Sequence, residues 1–251
     1  MKAMIFAAGL GTRLAPITDN MPKALVPVGG VPLLELLIQR LKAAGITDIV
    51  INVHHFAAQI VRFIAQNNSF GVNISFSDES NLLLETGGGI RHAIPLLKPK
   101  PGANDERFLI HNVDILSNLD LQQFYTEADP KAEAVLVVSR RQTTRYLLFS
   151  HENRLVGWTN TATGELRSPY PNLNPLDCRR YAFAGIHLMS TSLFPLMFDW
   201  PDRFSIIDFY LNICADHPIV CYPQSNLQLL DVGKVEALQE AERFLSTISP
   251  L

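Results

Sequence analysis

Residues 5–25 read IFAAGLGTRLAPITDNMPKAL: an apolar strand runs into Gly9-x-Gly11-Thr12-Arg13, and Lys23 follows directly behind Pro22. Two glycines let the backbone approach phosphate oxygens without interference from Cβ and aim several N–H donors at one point. Arg13 and Lys23 add full positive charge. A triphosphate beside a second phosphorylated molecule creates repulsion of about 4 kcal/mol per pair of unit charges at 4 Å in an effective dielectric of about 20. Cations at such a site are therefore a chemical requirement. Two common phosphate motifs do not fit. A dinucleotide fingerprint needs a third glycine where Leu14 stands, and a P-loop needs a Gly-Lys-Ser/Thr run that the chain lacks. The plainer alternative is that Ala7, Ala8, Gly9 and Gly11 only make a tight turn, and the spacing of Arg13, Pro22 and Lys23 argues against it.

Outward from this stretch, strand-like and helix-like patterns alternate, the signature of a mostly parallel sheet covered by helices. Strands are expected at Met4–Ala8, Ile49–Val53, Val72–Phe76 and Phe108–Val113. Helices are expected at Leu33–Ala44, with Gly45 as the stop, at Ala57–Gln66 and at Gly89–Leu97. In such sheets ligands bind beyond the carboxyl ends of the strands, which places the Gly9 loop and Asp114 on one rim. The second half predicts strands at Ala134–Ser139, Tyr146–Ser150, Tyr181–Met189 and Ile219–Tyr222, and helices at Ile206–Cys214 and Val235–Leu245. Thr159–Arg179, rich in Asn, Pro and Thr, is expected to be a long irregular loop, and Lys98–Asp105 a polar connection.

The opening segment resembles the signature of the sugar-phosphate nucleotidyltransferases, G-x-G-T-R-L-x-P-x-T-x-x-x-P-K. It matches at Gly9, Gly11, Thr12, Arg13, Leu14, Pro16, Thr18, Pro22 and Lys23. The resemblance implies a GT-A-like fold, a Rossmann-like mixed, mostly parallel sheet flanked by helices. It also implies a reaction that joins a nucleoside triphosphate to a sugar 1-phosphate, with magnesium and release of pyrophosphate. Arg13 is then implied to hold the triphosphate and Lys23 to bridge phosphates near the reacting centre, with Ala7, Ala8, Gly9, Gly11 and Thr12 around the nucleotide.

Asn112-Val113-Asp114 and Asp231-Val232-Gly233 resemble two further landmarks of the family, which imply Asp114 and Asp231 as magnesium ligands. Taken alone, each aspartate is also a good helix cap or turn former. Val113 stands where the family more often has a small residue. The run Glu85-Thr86-Gly87-Gly88-Gly89 costs conformational entropy, so something is expected to approach that backbone closely, a flat nucleobase being the natural candidate. It resembles the form in the N-acetylmuramate alpha-1-phosphate uridylyltransferases and the mannose-1-phosphate guanylyltransferases, which implies Glu85, Thr86, Gly87 and Gly88 at the base and slightly favours the former. Phe183-Ala184-Gly185-Ile186 resembles the family's sugar-facing strand, and Asn112, Ala184 and Gly185 are implied to contact the sugar.

Composition agrees with one enzyme domain over residues 1–251, with a region about 140–190 acting as a sugar-side lid. A net charge of −3 leaves no electrostatic footprint for nucleic acid, and no apolar run reaches membrane-spanning length. Met1-Lys2 leads directly into a strand, which argues against a signal peptide, and the stretch after Gly233 has room for one helix but not for a β-helical acyltransferase domain. Cys178, Cys214 and Cys221 match no metal spacing, so a reducing cytoplasm is the expected compartment. The seven histidines are expected on the surface or satisfied in the core, and Trp158 and Trp200 are expected to pack. The expected ligands are thus UTP or GTP and a sugar 1-phosphate. The alternatives are a cytidylyltransferase acting on a phosphate such as phosphocholine, and a non-catalytic module that binds nucleotide sugars.

Overall fold

The computed structural model describes residues 1–99 and 106–248, so most of the connection expected at Lys98–Asp105 lies outside the described residues. In chain order the elements are β1 (Lys2–Phe6), β2 (Pro27–Val28), β3 (Val31–Pro32), α1 (Leu33–Ala43), β4 (Asp48–Val53), α2 (Ala57–Gln66), β5 (Asn73–Asp78) and α3 (Glu85–Leu97). Then follow β6 (Arg107–Asn112), β7 (Ile115–Ser117), α4 (Leu121–Glu127), β8 (Ala134–Ser139), β9 (Arg145–Phe149), β10 (Leu155–Asn160) and β11 (Glu165–Arg167). The chain closes with β12 (Arg179–Ser190), α5 (Ile206–Ile213), β13 (Ile219–Pro223), β14 (Leu229–Asp231) and α6 (Glu236–Thr247).

A mixed, mostly parallel central sheet is flanked by helices, with the order β11-β10-β9-β12-β6-β1-β4-β5 and with β8 and β13 branching from β12. β6, β1, β4 and β5 are parallel, and β12 runs antiparallel to β6. Residues alternate between faces as a pleated strand requires. In β1, Ala3 and Ile5 join the core under α1 and α2, whereas Met4 joins the core under α3 and α5. The chain steps outward from β1 to β4 and β5, then returns through α3 to β6 on the other side of β1. The strand order therefore reverses between β1 and β6, where a crevice opens at the carboxyl ends.

Local chemistry explains several helix ends. α1 stops in a Schellman arrangement: Gly45 (φ 76°) donates to Lys42, and Ile46 donates back to Leu41. Ser205 caps α5 and Asp120 caps α4 through their side-chain oxygens. Two segments differ from the sequence expectations. Part of Thr159–Arg179 is ordered as a hairpin in which Trp158 pairs with Arg167 and Asn160 with Glu165. Its tight return at Gly164 (φ 74°) carries no apolar signal, and β11 is only three residues long. α3 begins at Glu85 rather than Gly89, so the three glycines lie inside the helix. No helix among the described residues is long and apolar enough to cross a membrane.

Candidate active site

The loop after β1 turns at Gly11, whose φ of +67° suits glycine. A Cβ there would meet Lys23 Cβ and Thr18 Cγ2 at 3.0 Å, so this glycine also lets Lys23 pack beneath the loop. Lys23 is 8% exposed, and its ammonium donates to Asp114 Oδ2 at the carboxyl end of β6. β14 pairs with β7 so that Asp231 sits opposite Ile115, and Val232 N–H donates to the Asp114 carbonyl at 2.8 Å. This two-stranded ribbon sets the second carboxylate beside the first. Gly233 completes the seat: a Cβ there would lie 2.7 Å from Asp231 Oδ1 and 2.9 Å from Arg13 Nη2. The structure thus draws Arg13, Lys23, Asp114 and Asp231 into one crevice, at the point where the strand order reverses.

Two cavities meet there. One, of about 520 Å3, is bordered by the Gly9–Arg13 loop, Lys23, Glu85 and Thr86. The other, of about 440 Å3, is bordered by Arg141, Arg145, Trp158, Arg167, Ala184 and Gly185. Arg13, Asn112, Asp114 and Ser205 line both. The second is rich in guanidinium groups. Arg167 stacks on Trp158, 4.0 Å from the ring centroid, and pairs with Asp208, while Arg141 donates to the Phe183 carbonyl. Arg145 has no ion pair among the described residues. Gly185 (φ 73°) bulges at the shift in β12 pairing, and a Cβ there would lie 2.7 Å from Asn112 Nδ2.

Several residues expected at the nucleotide already have partners within the protein. Ala7 and Ala8 line the first cavity, and their N–H groups already donate to Asn52 Oδ1 at 2.7 and 3.2 Å. Gly87 and Gly88 are indeed approached closely, but by the protein. Added Cβ atoms would lie 2.3 Å from the Phe204 ring and 2.3 Å from the Asp202 carbonyl oxygen, and both N–H groups bond to the Phe204 carbonyl. Glu85, in left-handed backbone (φ 62°), pairs with Arg203, and Thr86 Oγ1 accepts from Ile206 N–H, yet both border the cavity. The expectation of satisfied core histidines fails at His187: it is buried, and neither ring nitrogen has a hydrogen-bond partner among the described residues.

A buried pair beneath the loop went unread in the sequence. Asn52 Nδ2 donates to Glu79 Oε1 at 2.8 Å, and Leu84 N–H donates to Glu79 Oε2 at 3.2 Å. Burial raises the Glu79 pKa above its ordinary value, and those two hydrogen bonds oppose the rise. The signal was positional, because Asn52 and Glu79 stand at or just past the ends of β4 and β5, on the same rim as Asp114.

The donor set suits a hard divalent ion. Asp231 Oδ1 is buried with no hydrogen-bond partner among the described residues, and Asp114 stands beside it. No cluster of three or more His, Cys, Asp or Glu side chains suited to a metal occurs among the described residues, so phosphate oxygens would have to complete the shell.

A model described as nucleotidyl transferase matches residues 2–154. The chain belongs to that family. This nucleotidyltransferase is 42% identical over 135 residues to N-acetylmuramate alpha-1-phosphate uridylyltransferase of Neisseria meningitidis serogroup B, covering 54% of the chain and 56% of the relative. It is 46% identical over 101 residues to the protein of the same name from Caulobacter vibrioides, covering 39% and 42%. The chain therefore spans about half the length of these curated relatives. The crystal structure of HddC from Yersinia pseudotuberculosis complexed with GMP-PN superposes with a TM-score of 0.72 at 21% identity, covering 97% of this chain and 99% of that one. At that identity the likeness concerns the fold of the nucleotidyltransferase alone.

Proposed function

We propose that the chain joins a nucleoside triphosphate to a sugar 1-phosphate, releasing pyrophosphate and forming a nucleotide sugar. The observation that carries this reading is the pair of cavities sharing Arg13 and Asp114, one large enough for a nucleotide and the other bordered by polar and aromatic side chains suited to a sugar. An oxygen of the sugar 1-phosphate attacks the α-phosphorus in line, and the bond to the departing pyrophosphate breaks. The attacking oxygen is already anionic, so no general base is needed. Arg13 and Lys23 neutralise charge that spreads over the phosphates in the transition state. Asp114 and Asp231 would hold magnesium, which when bound supplies further positive charge. The nucleotide occupies the cavity bordered by Gly9, Gly11, Thr12, Glu85 and Thr86, and the sugar the cavity bordered by Asn112, Ala184 and Gly185.

The preferred substrates are UTP and N-acetylmuramate alpha-1-phosphate, and the cytoplasm the compartment. Beyond its phosphate this sugar carries a carboxylate, which mannose 1-phosphate lacks, and Arg141 and Arg145, neither of them in an ion pair among the described residues, offer positive charge to meet it. The relatives of the same name favour the same choice. Pyrophosphate release should be measured with UTP and GTP crossed against N-acetylmuramate, N-acetylglucosamine and mannose 1-phosphates. UTP with the acidic sugar should turn over fastest. Arg145→Gln should raise KM for that sugar about tenfold, the size of one lost charge-assisted hydrogen bond, and leave the neutral sugars unchanged. Faster turnover of GTP with mannose 1-phosphate would instead support a guanylyltransferase.

A further inference from the structure

A third cavity, of about 590 Å3, lies between α1, the β7–β14 ribbon and the carboxyl end of α6. Its wall is largely leucine and isoleucine: Leu33, Leu36 and Leu37 from α1, Leu116 from β7, Leu245 from α6 and Ile248 just past it. Val113 and Ile115, the two neighbours of Asp114, also line it, and each borders one of the two cavities already described. The cavity therefore touches both sides of the residue on which the charged crevice turns.

Among the described residues that line it, Arg40 alone is charged. It follows Leu36 by one turn of α1, so both fall on the same face. Nη1 donates to Ser117 Oγ at 3.1 Å and Nη2 to the Leu119 carbonyl, and no carboxylate among the described residues forms an ion pair with it. A guanidinium has five N–H donors, so these two bonds leave most of its capacity unused. Burial lowers its pKa from the ordinary arginine value, with Asp120 opposing that shift. A strut between α1 and β7 would explain the two bonds. It would not explain why a half-buried cation with spare donors borders a largely apolar space of ligand size.

We propose that this cavity binds an amphipathic monoanion, an apolar body with a single carboxylate head that pairs with Arg40, and that its occupancy is coupled to nucleotide binding through Val113 and Ile115. The apolar body lies against the leucines of α1 and the end of α6. The ribbon that carries Asp231 forms part of the same wall, because Asp231 sits opposite Ile115. Filling the cavity therefore shifts the spacing of the two carboxylates. The binding half of this proposal is independent of the reading of the cleft, and the coupling half rests on it.

Octanoate is a suitable probe, with octan-1-ol as the uncharged body. Calorimetry should show octanoate binding with one site per chain, and octan-1-ol, Arg40→Met and Leu245→Trp should each weaken it by about tenfold or more. Arg40→Lys should restore part of the loss. Leu245→Trp fills the cavity while leaving both Arg40 hydrogen bonds in place, so it carries the test should Arg40→Met fail to fold. Absence of octanoate binding, equal affinity for octan-1-ol, or unchanged affinity in a folded Arg40→Met protein would overturn the site. Saturating octanoate should change UTP affinity several-fold, and UTP should change octanoate affinity by the same factor. UTP binding that is indifferent to octanoate would overturn the coupling. A protein that binds octanoate but neither UTP nor GTP would instead sink the reading of the cleft and leave the site standing.

Discussion

Gly233 gives room to two charged groups at once, since a Cβ there would press on Arg13 Nη2 and Asp231 Oδ1, both within 3 Å. Both neighbours are ends of side chains, which can move aside at little cost to the fold. Gly233→Ala should therefore lower turnover by about tenfold, the equivalent of 1.4 kcal/mol, while the thermal midpoint stays close to that of the parent. An unchanged rate would show that Arg13 does not need that seat. Lys23 and Asp114 make the opposite case, because each neutralises the other in a largely buried setting. Lys23→Ala or Asp114→Ala should reduce turnover by about a hundredfold or more in protein that still folds, the scale of removing one electrostatic stabiliser. Steady-state rates beside circular dichroism would test both.

The elements hold these residues through contacts that sequence patterns capture unevenly. β1, α1, β4, α2 and β8 were legible because apolar periodicity and glycine stops report burial and helix ends directly. The hairpin of β10 and β11 was not, because its register is carried by backbone pairing and by a single turn glycine. Close approach to the triple glycine was legible as a need, but its source was not. Phe204 and Asp202 lie more than a hundred residues away, and no local pattern says what a bare helix face will meet. Arg13, Lys23, Asp114 and Asp231 were legible as charges in motifs, whereas Asn52 and Glu79 gain meaning only once β4 and β5 stand side by side. Asn52 ties the start of the Gly9 loop to β5, accepting from Ala7 and Ala8 and donating to Glu79. Asn52→Leu would orphan two buried N–H groups and Glu79 Oε1. The expected loss is at least about 2 kcal/mol in denaturant unfolding, with weaker nucleotide binding because the loop loses its anchor.

Across the whole molecule one sheet joins the two apolar cores, and two histidines sit within it on strands β6 and β12. Burial holds His111 and His187 at a pKa of about 3, with Arg40 adding to the effect on His111 and His111 itself adding to that on His187. In the unfolded chain both revert to about 6.5. Above that value neither state takes up a proton, and stability is independent of these groups. As pH falls from 6.5 toward 3 the unfolded state gains protons that the native state refuses, so stability is lost across that window. The loss is about 2 kcal/mol per histidine at pH 5. Denaturant midpoints should fall accordingly between pH 7 and pH 5, and His187→Leu should remove roughly half of the slope. A flat profile would mean that protons reach these rings in the native state.

Asp231 arrives on β14, which pairs with β7 from more than a hundred residues further along the chain. A ribosome that has released residues 2–154 has made Arg13, Lys23 and Asp114, the span by which the family is recognised, but not the strand that delivers the second carboxylate. The charged crevice is therefore completed late in synthesis, and a polypeptide that stopped short of β14 would carry Arg13, Lys23 and Asp114 without the second carboxylate.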